Sequence, residues 1–199
     1  MSLDKILRKL KNGDPSIIVA LGDSLTYGWM VEAGYIDFFK EMILLKYPGS
    51  DIQIISKGVP GDTALDGLYR IERDVIIHKP DLVLIQFALN DAFSGCPVSK
   101  FQETIQAIIN KVRTDTRAEI LLVTSILPGN EYDENIVNGF YDRLRNIAET
   151  SNISIVAVHE HWKKRISEGI PFSSLLQSDQ VHPTVEGYRV MAEAIMEQF

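Results

Sequence analysis

The sequence predicts an α/β protein built as a three-layer α/β/α sandwich, and three observations carry that reading. Short apolar runs rich in Val, Ile and Leu recur along the chain. Between them lie longer stretches whose apolar residues return every three or four positions, the period of a helix with one buried face. Gly, Pro, Asn and Asp cluster where one kind of stretch gives way to the other, and these residues end strands and open turns. Strands that alternate with helices need right-handed crossover connections, which produce a parallel sheet covered on both faces.

In chain order, Ile17 to Leu21 has the length and β-branched content of a buried strand and stops at Gly22. Tyr35 to Tyr47 is apolar and aromatic and ends at Pro48-Gly49, the punctuation of a helix end. Ile52 to Ile55 reads as a second strand. Leu65, Leu68, Ile71 and Val75 recur at helical spacing and predict one helix, ended by Lys79-Pro80. Leu82 to Ala88 is a third strand, apolar except for Gln86. Ser99 with Gln102 makes a capping box for a helix that carries Phe101, Ile105, Ile108 and Val112 on one face. Ile120 to Ile126 is a fourth strand, Ile136 to Ile147 an amphipathic helix, and Ile153 to Val158 a fifth strand. The last helix starts near Thr184 and turns Val185, Tyr188, Ala192 and Ile195 inward. The expectation is a flavodoxin-like arrangement of about five parallel strands in the order 2-1-3-4-5. No repeat, low-complexity tract or linker interrupts it, so residues 1–199 are expected to form one domain, with residues 1–15 as a helical N-terminal extension.

A chain of 199 residues is long enough to bury a core without metals or disulfides. Its 45% hydrophobic and 24% charged residues are those of an ordinary globular protein. The net charge of −7 gives no general attraction for phosphate backbones or anionic membranes, which argues against nucleic acid as a partner. Cys96 is the only cysteine and has no intrachain partner, which fits a reducing compartment. No run reaches the roughly 18 apolar residues of a membrane helix. The first residues mix Lys5, Arg8, Lys9 and Lys11 among Leu3, Ile6, Leu7 and Leu10, unlike the continuous apolar core of a signal peptide. A cytoplasmic protein without stable membrane insertion is expected. The sequence carries no signal for oligomeric state.

In a parallel sheet the loops after strands one, two, three and five open on one edge, where ligands bind. Ser24 follows strand one, Gly58-Val59-Pro60-Gly61-Asp62-Thr63 follows strand two, Asn90-Asp91 follows strand three, and Asp179-Gln180-Val181-His182 lies beyond strand five. Acyl transfer needs these groups together. A serine hydroxyl attacks only if a base takes its proton, and neutral imidazole, here His182, does so near pH 7. Asp179, three residues earlier, is placed to fix the tautomer and stabilise the imidazolium. The backbone N–H groups of Ser24 and Gly61 and the side-chain amide of Asn90 are the candidate donors to an oxyanion. Asp23 and Asp91 are read as loop holders through backbone hydrogen bonds. Tyr27 and Trp29 are candidates for one wall of a substrate pocket, and Phe172 and Leu175 for another. His159 and His161 flank Glu160 without a third ligand at metal-binding spacing, so no metal is expected.

The sequence resembles the GDSL, or SGNH, hydrolases through four blocks in family order: Gly22-Asp23-Ser24-Leu25, Gly58 to Thr63, Ala88-Leu89-Asn90-Asp91, and Asp179-Gln180-Val181-His182-Pro183. The resemblance implies the SGNH hydrolase fold and a serine ester hydrolase, with Ser24 as nucleophile, His182 as base and Asp179 as its orienter. It also implies Ser24, Gly61 and Asn90 as oxyanion donors, no cofactor, and a small-molecule ester as partner. Two positions depart from the family pattern: Ala88 stands where glycine is usual, and Ser56 where asparagine is common. The apolar content around Tyr27 and Phe172 points to carboxylic esters of short to medium acyl groups. Removal of O-acetyl groups from carbohydrates is the alternative within the family. The alternative outside it is a non-catalytic flavodoxin-like module that holds a small anion on Gly58 and Gly61. Such a module has no need of Asp179 beside His182.

Overall fold

The computed structural model describes residues 3–199; Met1 and Ser2 of the expected extension lie outside them. Helix α1 (Asp4–Asn12) is followed by β1 (Ser16–Gly22), whose residues from Ile18 onward are buried. A four-residue helix, α2 (Ser24–Tyr27), starts directly at the strand's end because the Asp23 carboxylate accepts the Leu25 N–H. The chain continues through α3 (Tyr35–Lys46), β2 (Ile52–Gly58), α4 (Ala64–Tyr69), α5 (Ile71–Asp74) and β3 (Leu82–Gln86). Every residue of β3 is buried, as a central parallel strand requires. Beyond it come α6 (Leu89–Phe93), α7 (Val98–Asp115), β4 (Glu119–Val123) and α8 (Glu131–Ser151). Last are β5 (Ser154–Val156), α9 (Val158–Ser167) and α10 (Val185–Met196).

The five strands form one parallel sheet in the order β2-β1-β3-β4-β5, the order expected from the sequence. Its helices form two groups: α3 packs on α10 and α10 on α9, while α4 packs on α7 and α7 on α8. Right-handed crossovers place these groups on opposite faces, because the β1-to-β2 step runs one way across the sheet and the later steps run the other. Helix α1 lies at the amino edge. The Glu119 carboxylate accepts the N–H groups of Lys5 and Ile6 at its start, and Lys5 and Lys9 reach Asp81 at 3.2 and 2.7 Å. Among the described residues no helix is long and apolar enough to cross a membrane.

Four expectations need correction. Ser99 and Gln102 form no capping box, because α7 already begins at Val98 behind Pro97, without a side-chain cap. The helix read across Leu65 to Val75 is broken at Arg70 into α4 and α5, where the backbone (ψ 6°) leaves helical geometry. The run Ile153 to Val158 is a three-residue strand that ends before α9, a helix the apolar pattern concealed because Val158 is buried in both settings. The third and fourth strands end at Gln86 and Val123, short of Ala88 and Ile126.

Strand register aligns the carboxyl edge: Gly22 pairs with both Gly58 and Gln86, and Gln86 pairs with Val123. Gly58 is required here, because a Cβ at that position would overlap the backbone of Thr26 and Tyr27 in α2. Gly58→Ala is therefore expected to destabilise the protein by about 3 kcal/mol, the upper end of overpacking costs. Denaturant unfolding checks this, and an unchanged midpoint would show that the two backbones separate freely.

Candidate active site

Ser24 opens α2 at the end of β1 and is 6% exposed. Its Oγ lies 3.0 Å from His182 Nε2, and His182 Nδ1 lies 2.7 Å from Asp179 Oδ2. With Nδ1–H donating to the carboxylate, Nε2 is left to accept the serine proton. The other oxygen of Asp179 accepts the N–H groups of Val181 and His182 at 3.0 and 2.9 Å. Partial burial pushes the Asp179 carboxyl up, but these two N–H groups and the His182 ring outweigh it and hold the group below the usual carboxylate range. The turn is closed from behind by Gln177, whose N–H donates to the His182 carbonyl at 2.8 Å, and by a bridge between Leu176 and Pro183.

Two strand-end loops bring the candidate oxyanion donors to the same edge. Gly61 has φ 87°, which glycine adopts without strain. Among the described residues, neither its N–H nor that of Ser24 is used in a loop hydrogen bond. Asn90 Nδ2 donates to the Asp62 carbonyl at 2.8 Å, so one amide proton fixes the side chain and the second is left over. Both carboxylate oxygens of Asp91 lie 3.1 Å from the Ala64 nitrogen, which ties the Asn90 loop to the start of α4. Ser56, at the first position departing from the family pattern, donates to the Thr26 carbonyl at 2.9 Å and holds β2 to α2. Ala88, at the other, has φ 153°, a strained value for alanine that accounts for the glycine more usual there.

Arg70 is the residue that sequence reasoning missed. Nearly buried, it donates to Asp62 Oδ2 at 2.7 Å, Asp74 Oδ2 at 3.0 Å, the Lys57 carbonyl at 2.9 Å and the Gly22 carbonyl at 2.8 Å. It thus joins the ends of β1 and β2 to the Gly61 loop. The one signal for it was the Arg70–Asp74 pair at helical i,i+4 spacing. Hydrogen bonds from Arg73 and Arg70 hold the Asp74 carboxyl down to about 2 against the effect of its burial.

Of the pocket residues expected from the sequence, Tyr27 and Trp29 stand at the site, 61% and 37% exposed. The Trp29 ring is 6.1 Å from that of His182, and Tyr27 is 6.4 Å from Trp29. Leu175 is corrected: it is fully buried, its carbonyl pressed under Gly187 and bonded to the Thr184 N–H, so it lines no pocket. Phe172 is half-buried and packs on the core. A groove of ≈ 590 Å³ between Phe93 of α6, Tyr132 and Ile136 of α8, and Val181 of the catalytic turn was not anticipated. Its residues are scattered over three segments, which leaves no local signature. Among the histidines, His159 bonds Thr124 at 2.8 Å and stacks on Tyr141, while His161 faces Glu193 and Glu197.

Beneath Ser24 lies a buried polar layer. Asp23 Oδ2 faces Gln86 Nε2 at 3.4 Å, Gln86 also donates to Ser125 at 3.0 Å, and Thr26 links Gln86 to the Tyr35 hydroxyl. Burial pushes the Asp23 carboxyl up to about 7 and that of Asp91 to about 6.

Comparison with known proteins agrees with this architecture. Residues 20–190 match the model of the GDSL-like Lipase/Acylhydrolase family. An acetylxylan esterase of Geobacillus stearothermophilus is 25% identical over 95% of this chain and 96% of its own length. An arylesterase of Vibrio mimicus is 25% identical over 91% of this chain and 86% of its own. The crystal structure of the acetylxylan esterase superposes with a TM-score of 0.83 at 23% identity, covering 94% of this chain and 95% of that one.

Two outcomes are expected. Asp23 binds its proton more tightly folded than unfolded, so its contribution is present at acid pH and is lost as pH rises from about 4 through about 7. Asp23→Asn keeps the acceptor for Leu25 N–H, so the variant should gain stability over wild type between pH 5 and pH 8, by an amount on the order of a few kcal/mol. A pH-independent difference in unfolding free energy would contradict this. Arg70→Ala leaves the Asp62 carboxylate without its partner and Asp74 with Arg73 but not Arg70, and should cost about 3 kcal/mol, with Lys restoring only part of it. A loss under ~1 kcal/mol would show that water replaces the guanidinium, since that is the worth of an exposed pair.

Proposed function

The chain belongs to the GDSL-like lipase/acylhydrolase family, and from that premise we propose that it hydrolyses carboxylic esters of short to medium acyl groups through an acyl-enzyme on Ser24. The observation that carries the reading is the continuous contact of Ser24 Oγ, His182 and Asp179, at 3.0 and 2.7 Å, beside two uncommitted backbone N–H groups. A passive anion site has no use for a carboxylate aligned behind an imidazole.

In the proposed reaction His182 Nε2 takes the Ser24 proton as Oγ attacks the ester carbonyl. Asp179 holds the ring in the required tautomer and stabilises the imidazolium. The oxyanion is met by the N–H groups of Ser24 and Gly61 and by the second amide proton of Asn90, all set before substrate arrives. Collapse breaks the ester C–O bond and the proton on Nε2 goes to the departing alcohol. Water then enters on the same side, gives its proton to Nε2 and attacks the acyl-enzyme, which releases the acid and restores Ser24. The groove beside Phe93, Tyr132 and Val181 gives the acyl group a place to lie. No step needs a metal or an organic cofactor. Removal of O-acetyl groups from a carbohydrate is a second reading, favoured by the likeness to an acetylxylan esterase along almost the whole chain. A cytoplasmic location belongs to the same proposal and rests on the unpaired Cys96; recovery of the protein from membranes or medium would overturn it.

Hydrolysis of p-nitrophenyl esters from acetate to palmitate is expected to be fastest at the short end and to vanish in Ser24→Ala. Turnover retained in that variant would remove the serine from the mechanism. Asn90→Ala should lower kcat by roughly 10²-fold, as loss of an oxyanion donor does. An unchanged kcat would place Asn90 outside the hole.

A further inference from the structure

We propose that the exposed pair Tyr27 and Trp29 is the subsite for the leaving alcohol, and that it selects alcohols carried on a six-membered ring over acyclic ones. The inference rests on the ester-hydrolase reading above and adds to it the side of the substrate on which selection is made.

The path of one proton places the leaving alcohol. In acylation the Ser24 Oγ–acyl bond forms and the ester C–O bond breaks, and the leaving oxygen collects the proton that His182 Nε2 took from Ser24. That oxygen therefore lies within hydrogen-bond reach of Nε2, and the rest of the alcohol extends past the imidazole. The aromatic surface there is Trp29, its ring 6.1 Å from that of His182, and Tyr27 prolongs it at 6.4 Å from Trp29. Both rings are exposed although neighbouring Leu25 and Thr26 are buried.

The backbone that carries the Trp29 ring is fixed on three sides. The backbone N–H of Trp29 donates to the Ser24 carbonyl at 3.1 Å and to the Tyr188 hydroxyl at 3.2 Å, and its backbone carbonyl accepts from Gln177 Nε2 at 3.1 Å. Gln177 also donates through its backbone N–H to the His182 carbonyl, so platform and catalytic turn are held in one frame. The two rings are tilted 51° to one another, and an aromatic face of either kind stacks on an aryl ring or on the C–H face of a pyranose and gives little to a short flexible chain.

Two readouts test the proposal on the full-length protein. The first is kcat/KM for benzyl acetate, for acetylated xylobiose and for ethyl acetate, in wild type, Trp29→Ala, Trp29→Phe and Tyr27→Ala. Comparing each variant with wild type on the same ester cancels intrinsic leaving-group reactivity. The ring-to-ethyl ratio is expected to fall roughly three- to ten-fold in each alanine variant, the size of an aromatic stacking contact, and to be largely kept in Trp29→Phe. Loss on benzyl acetate alone assigns an aryl alcohol, and loss on the xylobiose ester alone a sugar. An equal loss on all three esters means that Trp29 acts only by supporting His182, and overturns the proposal. Tyr27→Ala, which makes no ring contact with His182, guards against confusing the two.

The second readout needs no turnover. The protein has two tryptophans, and Trp162 is fully buried, so a ligand-dependent change in tryptophan fluorescence reports Trp29. Titration of the Ser24→Ala variant with benzyl alcohol and xylobiose should shift emission, whereas n-propanol should not, and Trp29→Phe should abolish the response. No response to either ring alcohol overturns the subsite even in an active esterase. A response in a protein that hydrolyses none of the esters keeps the subsite and removes the hydrolase reading instead.

Discussion

The carbonyl of Gly22 accepts two hydrogen bonds at the end of β1, from the Val59 N–H at 3.1 Å and from the Arg70 guanidinium at 2.8 Å. Through that one oxygen the last residue of β1 is joined to the loop after β2 and to the break between α4 and α5. The join works only because Gly58 lets the backbone of β2 lie flat against α2, so the direction in which Ser24 leaves the sheet is set by backbone contact. From there the coupling continues in series. Arg70 holds Asp62, the Asp62 carbonyl holds the Asn90 amide, and Asp91 next to it accepts the Ala64 N–H. Three loops far apart in sequence thus share one set of buried bonds, which is how hydrogen-bond donors stay aimed at a point in space without reorganising.

The polar layer under Ser24 follows from the same demand for fixed geometry. Apolar side chains there would pack well but hold no direction, whereas Asp23, Thr26, Tyr35, Gln86 and Ser125 form directed bonds that allow few arrangements. Burying such groups is costly, and the protein limits the cost by favouring neutral forms. Burial raises the Asp23 carboxyl to about 7 and lowers the imidazole of His159, on the far side of the same sheet end, to about 3. An isolated ionised carboxylate at Asp23 would need more donors than Leu25 and Gln86 supply.

Most of the fold was legible because it is written in period. Apolar runs with β-branched residues gave the five strands, and the residue types at their ends gave the edge on which the chemistry gathers, so Ser24, Asp179 and His182 were brought together before any distance was known. What stayed hidden depends on contacts between segments. Arg70 is one charged residue in a helical stretch, and its four partners span residues 22 to 74. Val158 satisfies a strand pattern and a helix pattern equally well, so α9 was lost in β5. Leu175 looked like pocket lining because it precedes the Asp179 turn, but Gly187 lets α10 close over it. Local pattern reports which side of an element is buried, not what covers it.

Ser24 and His182, the two halves of the proposed catalytic pair, are mounted on different kinds of structure. Ser24 is buried and its position is set by the sheet, so any change that moves it also disturbs the core. His182 sits on a turn that is exposed at Asp179 and built largely from its own short-range bonds, Asp179 to the N–H groups of Val181 and His182 and Gln177 to the His182 carbonyl, with the Gly129 N–H reaching the Gln180 carbonyl from a distant segment. Removing a member of that turn takes away few buried contacts. On the serine side it is the backbone that is tied to stability and not the hydroxyl, whose one bond among the described residues is to His182. A further long-range tie of the turn, Gln177 to the Trp29 carbonyl, ends on the residue whose ring flanks the imidazole, so whatever settles on Trp29 bears on the histidine side of the pair.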